Sequence, residues 1–204
     1  MKKFVRVISI ALVVCMALLC MAACSQESVT YRLEAEHGNI TDGSLDSKDL
    51  ASNGFFVYPS GGFTFEEKLP MVAALTFTAD KAKDATIVVC VASANKFGNE
   101  FDLADGDYSF SLNGTALGVP ASVLDYEGNA TTVCPKEDFT EGTGFIYLTY
   151  NVKLAEGENV FSYNYVTGNG AFKYDYIDIT TTAVVEYEPN MDAIDNWEPM
   201  GFPG

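Results

Sequence analysis

Val29-Thr30-Tyr31-Arg32-Leu33-Glu34-Ala35-Glu36 alternates strictly: apolar side chains stand at 29, 31, 33 and 35, and polar ones at 30, 32, 34 and 36. Successive side chains of a strand point to opposite faces, so a period of two predicts a half-buried β-strand. The same period returns in Tyr108-Ser109-Phe110-Ser111-Leu112-Asn113 and in Leu148-Thr149-Tyr150-Asn151-Val152-Lys153-Leu154. Further strands fit 54–58, 61–65, 71–78, 85–92, 158–165 and 172–180. Between them stand turn formers: Ser60-Gly61-Gly62, Asp105-Gly106, Asn113-Gly114, Glu156-Gly157 and Gly168-Asn169-Gly170. No stretch after residue 24 carries a helical period. Many short strands with polar turns predict an all-β sandwich or barrel.

The first residues read differently. Lys2, Lys3 and Arg6 precede an apolar run from Val7 to Ala23, which ends in Met21-Ala22-Ala23-Cys24. The run is short for a membrane span of roughly 20 residues. Small residues before a cysteine suit lipoprotein signal cleavage, with an ordinary signal peptide as the alternative. The expected organisation is a signal peptide over 1–23, a lipid on Cys24, a short tether over 24–28, a β-sandwich over 29–184 and an acidic, irregular tail over 185–204. This places the protein on the extracytoplasmic face of the cell membrane, held only by its lipid. The tail contains Pro189, Pro199, Pro203 and the chain's only tryptophan, Trp197.

From Cys24 onward 9 basic residues face 28 acidic ones, a net charge of −19. Such a surface repels nucleic acid and anionic lipid and attracts cations, so nucleic acid is excluded as a partner. Cys90 and Cys134 are the cysteines left outside the leader; a disulfide and two free thiols are both open. His37 is the only histidine, and there is no Gly-x-Ser-x-Gly elbow, so no catalytic constellation stands out and no enzyme is expected. Asp102, Asp105 and Asp107 lack the spacing of an EF-hand and read as a solvated acidic turn.

Four motifs resemble carbohydrate-binding modules of families 6 and 35, in that family's order. They are Tyr31-Arg32-Leu33-Glu34-Ala35-Glu36, Asn113-Gly114, Leu154-Ala155-Glu156-Gly157-Glu158-Asn159 and Tyr174-Asp175-Tyr176-Ile177-Asp178-Ile179. The resemblance covers roughly residues 29–182. It implies a jelly-roll β-sandwich of the galactose-binding-like type that holds an oligo- or polysaccharide without transforming it. A structural or protein-interaction sandwich is the alternative. The resemblance also makes the first and closing strands neighbours, bringing Glu34, Glu36 and Asp175 together as a structural calcium site. Glu34 and Glu36, two apart on one strand, would project from the same face about 7 Å apart. Calcium takes six to eight hard oxygen ligands and suits such carboxylates. The implied sugar site lies in loops near the final strands, with Asn169, Phe172, Lys173 and Tyr174; Phe55, Phe56, Tyr58 and Tyr126 are further aromatic candidates. Lys173 stands where the family often has asparagine, and a lysine there would suit an acidic sugar.

The lipid anchor is open to a direct test. In the full-length protein, Cys24→Ala is expected to remove lipid labelling and release the chain from the detergent phase. A variant that stays as membrane-bound as the wild type would refute the anchor.

Overall fold

The computed structural model describes residues 27–62, 67–94, 100–136, 144–168 and 170–198. The expected leader, Cys24 and Asn169 lie outside the described residues, as does most of the expected strand at 61–65. Among the described residues the strands follow in order: β1 (Val29–Glu34), β2 (Asn39–Thr41), β3 (Gly43–Ser47), β4 (Phe55–Pro59), β5 (Met71–Ala79), β6 (Lys83–Ser93), β7 (Phe101–Asp102) and β8 (Gly106–Leu112). Then come β9 (Thr115–Ala116), β10 (Ser122–Asp125), β11 (Val133–Cys134), β12 (Phe145–Leu154), β13 (Gly157–Gly168), β14 (Phe172–Thr181) and β15 (Val185–Glu186). A four-residue helix, α1, spans Asp192–Asp195.

The strands form two antiparallel sheets and one small ribbon. The first sheet runs β10-β12-β6-β14-β4-β3, with β1 also paired to β14; the second runs β15-β5-β13-β8-β9, with β2 also on β5. The strands β5, β6, β8, β12, β13 and β14 alternate between the two sheets. That alternation makes the sandwich a jelly roll, the expected class. The long strands of the second sheet's centre bury one face. In β5, Met71, Ala73, Leu75, Phe77 and Ala79 are buried, whereas Val72, Thr76 and Thr78 are exposed. The Asn113-Gly114 turn closes the β8–β9 hairpin, and both residues have the positive φ that such a tight turn demands.

The core between the sheets is largely aromatic. Phe110 lies 5.2 Å from Tyr163, 5.9 Å from Phe161 and 6.3 Å from Phe172, centroid to centroid. Buried Tyr163 must satisfy its hydroxyl, which donates to Gly170 O (2.7 Å) and accepts from Phe172 N (2.8 Å). A second apolar cluster lies on the outer side of the first sheet. There Ala51, on the segment between β3 and β4, packs with Phe56, Cys90, Ala92 and Phe145. Cys90 and Cys134 are both buried free thiols, and burial pushes both above their ordinary pKa.

Two features depart from the sequence reading. The first strand stops at Glu34, and Ala35–His37 forms a single 3-10 turn. The tail begins two residues late, because Val185–Glu186 pairs with Ala79–Thr78 as β15. Residues 187–198 then pack back on the sandwich. Asn190 N donates to His37 O (3.0 Å), and Asn190 Nδ2 donates to Asn39 Oδ1 (2.9 Å).

Phe110 is the ring on which the aromatic core converges. Phe110→Ala is expected to cost about 3–5 kcal/mol, the usual range for emptying a buried phenylalanine site. Denaturant unfolding should show the midpoint falling with little change in slope. A loss under about 1 kcal/mol would mean that the site collapses or is not the core's centre.

Candidate functional site

Strand β14 carries the site because its edges are unequally shared. β6 pairs along one edge, from Phe172↔Ser93 to Thr181↔Ala85. The other edge is divided: β1 takes Tyr176 to Thr181, and β4 takes Tyr174. Asp175 falls in the gap. There a bulge shifts the β6 register, so that Tyr174 faces Val91 and Tyr176 faces Cys90. An extra residue at a bulge leaves the ladder, which frees its side chain to be re-aimed. Asp175 is 2% exposed, and Glu36, on the 3-10 turn that follows β1, is fully buried.

The segment after β3 closes this gap. Ser52 N donates to Asp175 Oδ1 (2.9 Å), Ser52 Oγ donates to Glu34 Oε1 (2.9 Å), and Cys90 Sγ lies 3.8 Å from Asp175 Oδ2. Glu34 Oε2, both Glu36 carboxylate oxygens and the Tyr174 hydroxyl remain; they are buried and have no hydrogen-bond partner. These are groups in one electrostatic neighbourhood: Glu34, Glu36 and Asp175 all push the Tyr174 hydroxyl upward, after burial itself. Burial raises Glu34, although the Ser52 hydroxyl bond opposes it. Burial also raises Glu36; its own backbone amide and then the Asn53 side chain favour the ionised form, though neither reaches either oxygen in good hydrogen-bond geometry. Asp175 is pushed up to about 7 from 3.8, first by burial and then by Glu34 and Glu36, against the Ser52 amide bond.

Unpaired buried carboxylate oxygens are costly unless charge or hydrogen bonds compensate them. Arg32, the cation that most favours Glu34 and Asp175, is committed elsewhere. It grips Asp178 bidentately at 2.7 and 2.8 Å and lies 3.6 Å over the Tyr176 ring. The donor set is therefore all hard oxygen, which fits a divalent cation of the calcium type. Among the described residues, however, no group of three or more His, Cys, Asp or Glu side chains lies placed to hold a metal ion. The expected spacing argument is also corrected: Glu36 joins Glu34 through the 3-10 turn and not by sharing a strand face.

The expected sugar residues are not surface groups. Phe172 and Tyr174 are fully buried in the core, and neither ring offers a face for stacking. Lys173 is 5% exposed and donates to Asp46 Oδ2 at 2.7 Å, so its charge is already met. The reason is position: β14 is an inner strand, covered by the second sheet on one side and by the β3–β4 region on the other. Phe56 is buried as well, whereas Tyr58 is half-exposed and Tyr126 is exposed. Asp102 caps a short turn by accepting from Ala104 N. His37 stacks on Tyr187 and its Nδ1 lies 2.7 Å from the Tyr187 hydroxyl, which anchors the tail beside Glu36. Ser52, Asn53 and Tyr187 went unnoticed in the sequence because nothing local marks them. Each is brought to the carboxylates by tertiary structure.

No family model and no curated protein matches the sequence. Among solved structures the chain is similar to a family 35 carbohydrate binding module from Clostridium thermocellum, with 12% identity and a TM-score of 0.48 over 74% of this chain and 97% of that one. It is similar to a family 35 module from Cellvibrio japonicus, with 17% identity and a TM-score of 0.48 over 78% and 97%. It also resembles part of an exo-beta-1,3-galactanase from Phanerochaete chrysosporium, with 15% identity and a TM-score of 0.48 over 75% of this chain; it spans 29% of the galactanase chain.

The raised Asp175 gives the metal-free domain a defined pH response. The folded state keeps this proton where the unfolded chain has already lost it, so the unfolded state binds fewer protons. Stability relative to an uncharged side chain should therefore fall as pH rises from 3.8 to about 7. With chelator present, the melting-temperature difference between wild type and Asp175→Asn should move in the variant's favour across that window. A difference that is flat with pH would place Asp175 outside the buried cluster.

Proposed function

We propose that this chain is a non-catalytic carbohydrate-binding module, stabilised by one structural calcium ion and displayed outside the cell on a lipid anchor. The observation that carries the reading is the buried cluster of Glu34, Glu36 and Asp175 where β1 meets β14. The cluster comprises the residues that the resemblance assigns to calcium, and it lies in a jelly-roll sandwich with carboxylate oxygens left unpaired. A bound cation would supply positive charge to them. Glu34, Glu36 and Asp175 are the residues that would hold it, with Ser52 orienting Glu34 and Asp175 from the second layer. His37, the chain's only histidine, stands beside this cluster and docks the tail through its Nδ1 contact with the Tyr187 hydroxyl.

One observation favours the alternative of an interaction sandwich without a sugar site: Phe172, Lys173 and Tyr174 are all buried. The deciding experiment is a glycan array with the domain starting at residue 25, with and without calcium, beside metal analysis and thermal melts. Retained glycans with dissociation constants between about 1 μM and 1 mM, or about −4 to −8 kcal/mol, are expected. Calcium at a hundredfold excess over its Kd should stabilise the domain by about 2.7 kcal/mol. Glu36→Gln should raise the metal-free melting temperature and remove most of the calcium response. An empty array would leave the interaction sandwich as the better reading, and a melting curve indifferent to chelator would remove the calcium.

A further inference from the structure

The tail does more than cover the 3-10 turn. Between its end and the β3–β4 edge lies a groove of about 350 Å³, lined by Ile40, Leu45 and Tyr58 from the sandwich and by Asn196, Trp197 and Glu198 from the tail. We propose that this groove is a saccharide-binding site for a neutral sugar chain. The inference rests on the carbohydrate reading above but moves the site from the loops near the final strands to the tail, whose Asn196, Trp197 and Glu198 lie beyond the family resemblance, which ends near residue 182.

The tail side is built in steps. Tyr187 and Asn190 dock on His37 and Asn39. Asn190 Oδ1 then accepts from Asp192 N (3.0 Å), which starts the turn of α1, and Asn196 Nδ2 closes it on Asp192 O (2.7 Å). This delivers Trp197 to Phe55, whose ring meets the indole edge-to-face at 5.1 Å and 77°. The contact fixes the plane of the indole, while the half-exposed ring still lines the groove. On the opposite wall the Tyr58 ring is half-exposed, and the Lys68 and Lys173 ammonium groups lie 5.0 and 5.9 Å from its centroid.

The lining selects the ligand's chemistry. Aromatic rings beside aliphatic Ile40 and Leu45 match the apolar C–H faces of a pyranose, and the exposed Asn196 and Glu198 match its rim of hydroxyls. A wholly apolar ligand would strand those polar groups. An anionic one would meet Glu198 within the field of a chain of net charge −19 after the leader. Lys173, the residue that suggested an acidic sugar, is already neutralised by Asp46.

Trp197 is the chain's only tryptophan, so the intrinsic tryptophan emission comes from this groove and its seat on Phe55. The domain starting at residue 25 would be titrated with neutral cello-, xylo-, manno- and β-1,3-galacto-oligosaccharides, and with oligogalacturonate as the acidic control. At least one neutral oligosaccharide should shift the Trp197 emission saturably, and oligogalacturonate should bind at least about tenfold more weakly, or about 1.4 kcal/mol. Trp197→Ala and Tyr58→Ala should each lose at least about tenfold in affinity by calorimetry, with the melting temperature held. Glu198→Gln should narrow the gap between neutral and acidic ligands. If glycans are retained on the array but both aromatic variants bind them as the wild type does, with Trp197 emission unmoved, the groove is not the site and the carbohydrate reading stands without it. If no glycan is retained at all, both fall.

Discussion

β14 is paired by β6 along one edge and shared by β1 and β4 along the other, and most of the molecule follows from that division. One strand cannot be followed directly by another on the same edge without a gap, and the gap here falls at the Asp175 bulge. A carboxylate re-aimed out of the ladder into a closed region needs compensation. The Lys48–Gly54 segment supplies part of it through Ser52, and in doing so it lays Ala51 over Phe56, Cys90 and Ala92. One topological choice therefore produces the buried acids, the second apolar cluster and the burial of Cys90. The same pairing joins residues about 150 positions apart, as the Thr30–Thr180 hydroxyl contact illustrates. Contacts of such long range form only after a large loop has been closed, so β1 is poorly placed to nucleate folding.

Alternation made the long strands legible because each has one face on the core and one in water. β5, β12 and β13 follow this pattern over most of their length; β8 departs from it at its end, where Phe110, Ser111 and Leu112 are all buried, but the expected positions of all four agree with the structure to within a few residues. β14 breaks it: Phe172, Lys173, Tyr174 and Asp175 are all buried, because this stretch is covered on both faces. Phe172, Lys173 and Tyr174, which the family resemblance assigned to a sugar site at the loop end, therefore lie inside the sandwich. Glu34 and Glu36 were legible as candidates, but for a reason the structure replaces. The alternation continues through residue 36 in the sequence, whereas the backbone turns at Ala35. Tertiary packing of Ala35 into the core, with Glu36 drawn in beside it, overrides the local period. Short edge strands such as β2, β3 and β15 carry too few residues for any period to be read.

Charge acts at two depths in this protein. On the surface, the excess of acid is solvated and costs little beyond mutual repulsion, which favours solubility over compactness. In the interior, three carboxylates cannot be treated the same way. Each is raised by burial, and for Asp175 the neighbouring acids add to the effect. Protonation or a cation can each neutralise them, with opposite consequences. Protonation would satisfy the charge but leave the Asp175 bulge tied to Glu34 only through Ser52. A divalent ion would tie the 3-10 turn, the end of β1 and the bulge of β14 into one unit. On the reading proposed above the ion fills this role, since among the described residues no lysine or arginine forms a salt bridge with these three carboxylates.

The 3-10 turn at Ala35–His37 links this interior to the tail. Its Glu36 faces the buried acids, while the next residue, His37, receives Tyr187 and Asn190. Anything that fixes Glu36 also fixes the platform on which the tail docks, and the tail brings Trp197 to the edge of the sandwich. Rigidity matters there, because a shallow groove gains affinity mainly by not having to be ordered on binding. A half-exposed indole on a four-residue helix would be a poor platform if the helix were free. Pinned by two asparagines, a histidine and an edge-to-face phenylalanine, it holds a defined orientation before any ligand arrives. The buried acids and the aromatic groove are thus successive parts of one chain of contacts, with the 3-10 turn as the joint between them.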